Sequence, residues 1–109
     1  MKLIFSEQAW EDYLYWQARD RKLLERINGL IRECARTPFA GTGKPEPLRG
    51  PLAGWWSRRI NLEHRLVYRP TDDGLLIAQC RHHFEVGFAL GRPPPLQDQG
   101  LGPRDERTI

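Results

Sequence analysis

A small α+β fold, two helices laid on one face of an antiparallel sheet in the order β-α-α-β-β-β, is what this chain of 109 residues predicts. Three observations carry that expectation. An apolar stripe at helical spacing runs from Leu23 to Cys34. Three short segments between Trp55 and Cys80 alternate, or run apolar, as strands do. The connections between those segments are short enough to make them consecutive antiparallel neighbours. The length suits one domain, with a limited core that a partner or a second copy would support.

Taken in order, Lys2 to Phe5 is a short apolar first strand. Ser6 is a good helix N-cap, and Glu7 places an acid in the first turn. Trp10, Tyr13, Leu14 and Gln17 then recur at helical spacing, and Tyr15 and Trp16 widen the aromatic content beyond one stripe. Asp20 caps a second helix whose apolar residues are Leu23, Leu24, Ile27, Leu30, Ile31 and Cys34. Thr37-Pro38 ends it, because proline disfavours helix in the residue before it. Gly41 to Pro47 is a loop by composition, with neither the glycine spacing nor the following helix of a phosphate-cradling P-loop. Trp55 to Ile60 and His64 to Arg69 alternate as strands. Pro70 to Gly74 is a turn ending in Asp-Gly, and Leu75 to Cys80 is apolar on both faces, as a central strand should be. Beyond Phe84 the composition turns to Gly and Pro, and from Arg92 onward the chain reads as extended or disordered. The expected division is a folded domain over 1–84 and a Gly/Pro-rich extension over 85–109.

The formal net charge is +3. Between Gly41 and Arg69 stand six basic residues (Lys44, Arg49, Arg58, Arg59, Arg65 and Arg69) against the acids Glu46 and Glu63, so the positive charge is concentrated there. A basic stripe of that kind suits an acidic polymer, and its plain alternative is a solvated surface. Cys34 and Cys80 lie far apart at apolar positions and read as buried free thiols. The three histidines, His64, His82 and His83, do not match a zinc spacing, so no metal or other cofactor is expected. No apolar run approaches the roughly 20 residues that span a membrane, and the N-terminus lacks a signal-peptide pattern. A cytoplasmic protein is the expectation.

Few carboxylates, many arginines and three histidines in one stretch are equipment for acid–base chemistry on a phosphodiester. Cutting RNA without a metal needs a base for the 2′-OH, an acid for the departing 5′-oxygen, and cations for the charge on the phosphorane. Histidine suits the acid and the arginine fork suits the phosphate oxygens. On a strand, His82 and His83 would point to opposite faces and could not act as a pair. Trp55 and Trp56 read as core and rim residues ahead of base-stacking platforms.

The chain resembles the YoeB/Txe family of bacterial toxins, within the wider RelE-like group. The resemblance rests on Lys2-Leu3-Ile4, Trp10 to Trp16, Arg36-Thr37-Pro38-Phe39, Gly43-Lys44-Pro45-Glu46-Pro47-Leu48, Trp56-Ser57-Arg58-Arg59-Ile60, Glu63-His64-Arg65-Leu66-Val67-Tyr68 and Cys80-Arg81, in that order over residues 1 to 84. It implies a microbial-RNase-like fold and a ribosome-dependent endoribonuclease that cuts mRNA in the ribosomal A site. It implies a YefM-like antitoxin as partner, and a homodimer. By position it makes Glu46 the general base, Arg65 the phosphate-stabilising arginine and His83 the general acid. Lys44, Arg49, Arg58, Arg59 and Phe84 would contact RNA or the ribosome. His82-His83-Phe84 departs from the family's Tyr-His-Tyr, and the extension over 85–109 has no family counterpart. That extension keeps a second reading in play: a non-catalytic binding protein on the same fold, its site blocked by the tail.

Overall fold

Ser6 closes the first strand and opens the first helix. Its Oγ accepts the Ala9 N–H at 3.0 Å and donates to the Ala78 carbonyl at 2.8 Å, so one side chain caps a helix and ties it to a strand 72 residues on. This computed structural model describes residues 1–82 and the backbone of 106–108. The elements are β1 (Leu3–Ser6), α1 (Glu7–Arg19), α2 (Arg21–Arg36), β2 (Glu46–Pro47), β3 (Trp56–Arg59), β4 (Arg65–Pro70), β5 (Leu75–Gln79) and β6 (Glu106–Thr108), with a 3-10 turn at Gly50–Leu52. Asp20 caps α2 as expected, its Oδ1 accepting the Leu23 N–H at 3.0 Å.

The strands form one sheet in the order β2-β3-β4-β5-β1-β6. The β3-β4-β5 meander is antiparallel, and β2 extends it. The sheet is not antiparallel throughout, however. β1 lies parallel to β5, with Leu3 opposite Leu75 and Phe5 opposite Ile77. The two helices carry the chain across one face between β1 and the meander, which allows that orientation. β5 is therefore interior and apolar on both faces, as its sequence requires. Leu75 and Ile77 join Phe5, Ile27, Leu30, Leu66 and Tyr68 under the helices. Leu76 and Ala78 join Leu48, Leu52, Trp55 and Val67 in a smaller cluster on the other face.

Two features go beyond the sequence reading. The buried face of α1 is Ala9, Asp12 and Trp16, whereas Leu14 is 37 % exposed and Gln17 is exposed. An acid on the inner face conceals the stripe from a reading by hydrophobicity. The tail, read as extended or disordered from Arg92 onward, has an extended piece. Glu106–Thr108 is a strand, set antiparallel on the outer edge of β1 with Ile4 opposite Thr108 and Ser6 opposite Glu106. The rest of the extension, together with His83 and Phe84, lies outside the described residues.

Candidate active site

Alternation along β3 and β4 sorts the basic residues onto two faces. Arg58, Leu66 and Tyr68 face the helices, while Ser57, Arg59, Arg65 and Val67 face the other way. Arg58 is fully buried and ion-paired with Glu33 of α2. Its Nε donates to the Tyr68 hydroxyl at 3.0 Å, and its two terminal nitrogens donate to the carbonyls of Thr37, Ala40 and Thr42. A guanidinium enclosed by a carboxylate and three carbonyls cannot reach a nucleic acid. Arg58 as an RNA contact is thus corrected: it is the anchor of the 37–43 loop.

That anchoring positions the stretch that carries Glu46. Glu33 accepts from the Thr42 N–H at 2.7 Å and the Thr42 hydroxyl at 3.1 Å, which, with Arg58, hold its carboxyl below the usual range. The Gly43 carbonyl accepts the Arg59 N–H at 2.7 Å. Gly43 has φ of 86°, and a Cβ there would stand 3.0 Å from the Arg59 carbonyl, so glycine is required for so close an approach. Lys44 follows in the left-handed region at φ 53°. Glu46 then pairs with Ser57 as the two-residue strand β2, on the edge of what the sequence reads as loop.

On the face away from the helices, Glu46, Ser57 and Val67 form one cross-strand row, of which only Glu46 is exposed, and Arg59 with Arg65 forms the next. Two residues along a strand advance it by about 7 Å, which is the spacing between the row of Glu46 and the row of the two arginines. Glu46 is exposed and makes no side-chain hydrogen bond or ion pair among the described residues. Arg59 and Arg65 stand directly opposite each other, an arrangement that costs stability for like charges. The Arg65 Nη1 donates to the carbonyls of Asn61 at 2.9 Å, His64 at 3.2 Å and Leu62 at 3.3 Å, which orients the fork. The Arg59 Nε is buried with no hydrogen-bond partner. A like-charge pair with an unsatisfied donor is what an anion would complete.

The chain leading to His83 is held from three sides. The Cys80 N–H donates to Asp12 Oδ2 at 3.1 Å, and the Cys80 carbonyl accepts Trp16 Nε1–H at 2.9 Å. Gln79 Nε2 donates to the carbonyls of Arg81 at 2.9 Å and His82 at 3.3 Å. The His82 carbonyl accepts the Arg65 N–H at 3.0 Å, and its N–H donates to His64 Nδ1 at 2.8 Å. β5 thus ends at Gln79, and His82, at φ 74°, is not on a strand. This replaces the strand geometry expected there. Burial lowers the His64 pKa, which keeps Nδ1 free to accept. Burial pushes the Asp12 carboxyl up to about 6. His83 and Phe84 follow immediately, outside the described residues.

The structure therefore brings Glu46, Arg59 and Arg65 to one face, with Lys44 beside them on the anchored loop and Arg49 exposed just before the 3-10 turn. Trp55 is buried under the turn and Trp56 is half-buried against Phe39, as core and rim residues. Both cysteines are buried free thiols, and burial raises each thiol's pKa, Cys34 to about 11. The positioning residues Asp12, Trp16, Glu33, His64 and Gln79 were not predicted. The one available signal was Asp12 and Trp16, four apart on a helix face and so able to act on one target.

Residues 5–84 match the family model described as the YoeB-like toxin of bacterial type II toxin–antitoxin systems. Toxin YoeB of Escherichia coli K12 is 62 % identical over 84 residues, covering 77 % of this chain and all of that protein. The YoeB dimer from Staphylococcus aureus superposes with a TM-score of 0.72 at 46 % identity, covering 76 % of this chain and 97 % of that one. The heterotetrameric YoeB–YefM toxin–antitoxin complex from Staphylococcus aureus gives 0.71 at 48 % identity, covering 74 % and 94 %. No helix among the described residues is long and apolar enough to cross a membrane.

Proposed function

This chain belongs to the YoeB-like toxin family of bacterial type II toxin–antitoxin systems, and we propose that it acts as a ribosome-dependent endoribonuclease, cutting mRNA in the ribosomal A site and so arresting translation. The observation that carries this reading is the open-face arrangement: Arg59 opposite Arg65, with the unpartnered Glu46 one row away. Glu46 takes the proton of the ribose 2′-OH. The 2′-oxygen attacks the adjacent phosphorus, and Arg65 and Arg59 stabilise the added charge. His83 gives a proton to the 5′-oxygen as the phosphorus–oxygen bond breaks. The products are a 2′,3′-cyclic phosphate and a 5′-OH. Lys44 and Arg49 contact the nucleic-acid backbone and Phe84 stacks on a base. The reaction uses side chains alone, with no cofactor.

The partners follow from the family. A YefM-like antitoxin neutralises the toxin, a homodimer is its resting form, and the cytoplasm is its compartment. Residues 1–84 are the toxin domain and 85–109 an extension outside the matched span. The test is mRNA cleavage in a reconstituted translation system, mapped by primer extension with and without ribosomes. Ribosome-dependent cuts at the A-site codon, lost in His83→Ala and Glu46→Ala, are the expected outcome. No cuts from either the full chain or one ending at Phe84 would overturn the enzyme and leave a binding protein on this fold.

A further inference from the structure

One imidazole joins three parts of the fold. The His64 ring meets Trp16 of α1 edge-on, with centroids 4.8 Å apart. Its Nδ1 accepts the His82 N–H at 2.8 Å, and its Nε2 lies 3.6 Å from Glu63 Oε1. The bond at Nδ1 has a counterpart: the His82 carbonyl accepts the Arg65 N–H at 3.0 Å. Residue 82 is thereby clipped to the start of β4 through both its N–H and its carbonyl. A clip is needed there, because His82 stands at φ 74°, a region that a residue with a side chain seldom adopts unheld.

The clip holds Arg65. The His64 carbonyl accepts the Ile60 N–H at 3.0 Å and Arg65 Nη1 at 3.2 Å, so His64 braces both the start of β4 and the arginine's fork. Nη1 is also directed by the Asn61 and Leu62 carbonyls, and Nε and Nη2 make no hydrogen bond among the described residues. We propose that His64 is the positioning residue of Arg65: neutral, with its proton on Nε2, it clips residue 82 to β4 and sets the guanidinium, and a proton on Nδ1 releases both. This rests on the reading of Arg65 as the phosphate-stabilising cation. An imidazolium donates from both nitrogens, so a proton at Nδ1 would meet the His82 N–H donor to donor. Burial disfavours that proton most, His82, Arg81 and Arg65 add to the effect, and Glu63 opposes it. The ring therefore titrates below the ordinary 6.5, and the clip is closed at neutral pH.

Amide NMR of the full chain without RNA tests the clip, in a His82→Asn background that removes the neighbouring imidazole and suits the left-handed region. The amides of residue 82 and Arg65, and the Arg65 Nε–H, should move together with pH at the midpoint of the His64 ring, below 6.5. Adding His64→Asn, whose Oδ1 accepts in place of Nδ1 but does not titrate, should abolish that movement. In cleavage on programmed ribosomes, His64→Leu should lower kcat about tenfold with KM within about twofold, and His64→Asn should restore kcat to within about threefold of the unmodified chain. Signals of Arg65 and residue 82 that ignore the His64 titration would overturn the proposal. So would His64→Leu cleaving as the unmodified chain does, or His64→Asn cleaving as poorly as His64→Leu. An unmodified chain that cleaves nothing would sink the ribonuclease reading instead, and the NMR titration then decides the clip by itself.

Discussion

Arg58 and Arg59 are neighbours in the chain and stand on opposite faces of one sheet. Arg58 sits under the helices, fully buried, its guanidinium taken up by Glu33, Tyr68 and three carbonyls. Arg59 sits on the open face, half-buried, opposite another arginine, with a buried Nε that nothing accepts. One cation is satisfied by the protein and holds a loop in place. The other keeps a buried donor without an acceptor among the described residues. The contrast separates a scaffold face, where charge is consumed, from a working face, where charge is kept.

The largest effect belongs to the scaffold face. Arg58→Ala strands a carboxylate and several carbonyls, and should cost about 3–5 kcal/mol in urea unfolding. An unchanged midpoint would break the comparison at its first term. Asp12 comes next. Its folded pKa is raised to about 6 from an ordinary 3.8, so its contribution is complete below pH 3.8 and lost as pH rises through 6, by about 3 kcal/mol in all. Asp12→Asn should flatten that part of the stability–pH curve. His64 works the other way: its folded pKa is lowered by burial, so stability falls as pH drops below its ordinary 6.5, and His64→Phe should remove that slope. Gly43→Ala should cost about 1–2 kcal/mol, from its positive φ and the 3.0 Å approach to the Arg59 carbonyl. It should also depress cleavage by displacing Glu46. The smallest stability effect is on the working face. Arg59→Ala should move the midpoint by less than about 0.5 kcal/mol, or raise it slightly by relieving the like-charge pair.

Local physics was readable in the chain and distant partnership was not. Ser6 and Asp20 cap their helices because a cap acts within three residues. The two-sided apolar run of Leu75 to Gln79 does mark an interior strand. The two arginines of Trp-Ser-Arg-Arg look equivalent in sequence, and only Glu33, 25 residues earlier on α2, distinguishes them. Asp12 conceals the true core face of α1 because its purpose is to hold Cys80, 68 residues away. The parallel pairing of β1 with β5 and the strand at Glu106 are likewise long-range choices, made when the helices and the tail return the chain to an edge. Glu46 and Arg65 were found through resemblance. Their placement on one face came from register.

The most direct test sets stability against catalysis in Arg59→Ala and Arg65→Ala, with Arg58→Ala as the control. Ribosome-dependent cleavage should fall at least about a hundredfold in the open-face variants, while Arg59→Ala unfolds at an unchanged urea midpoint. Cleavage within threefold of the unmodified chain in both open-face variants, or a loss matched by unfolding as in Arg58→Ala, would contradict the assignment of the open face as the working one.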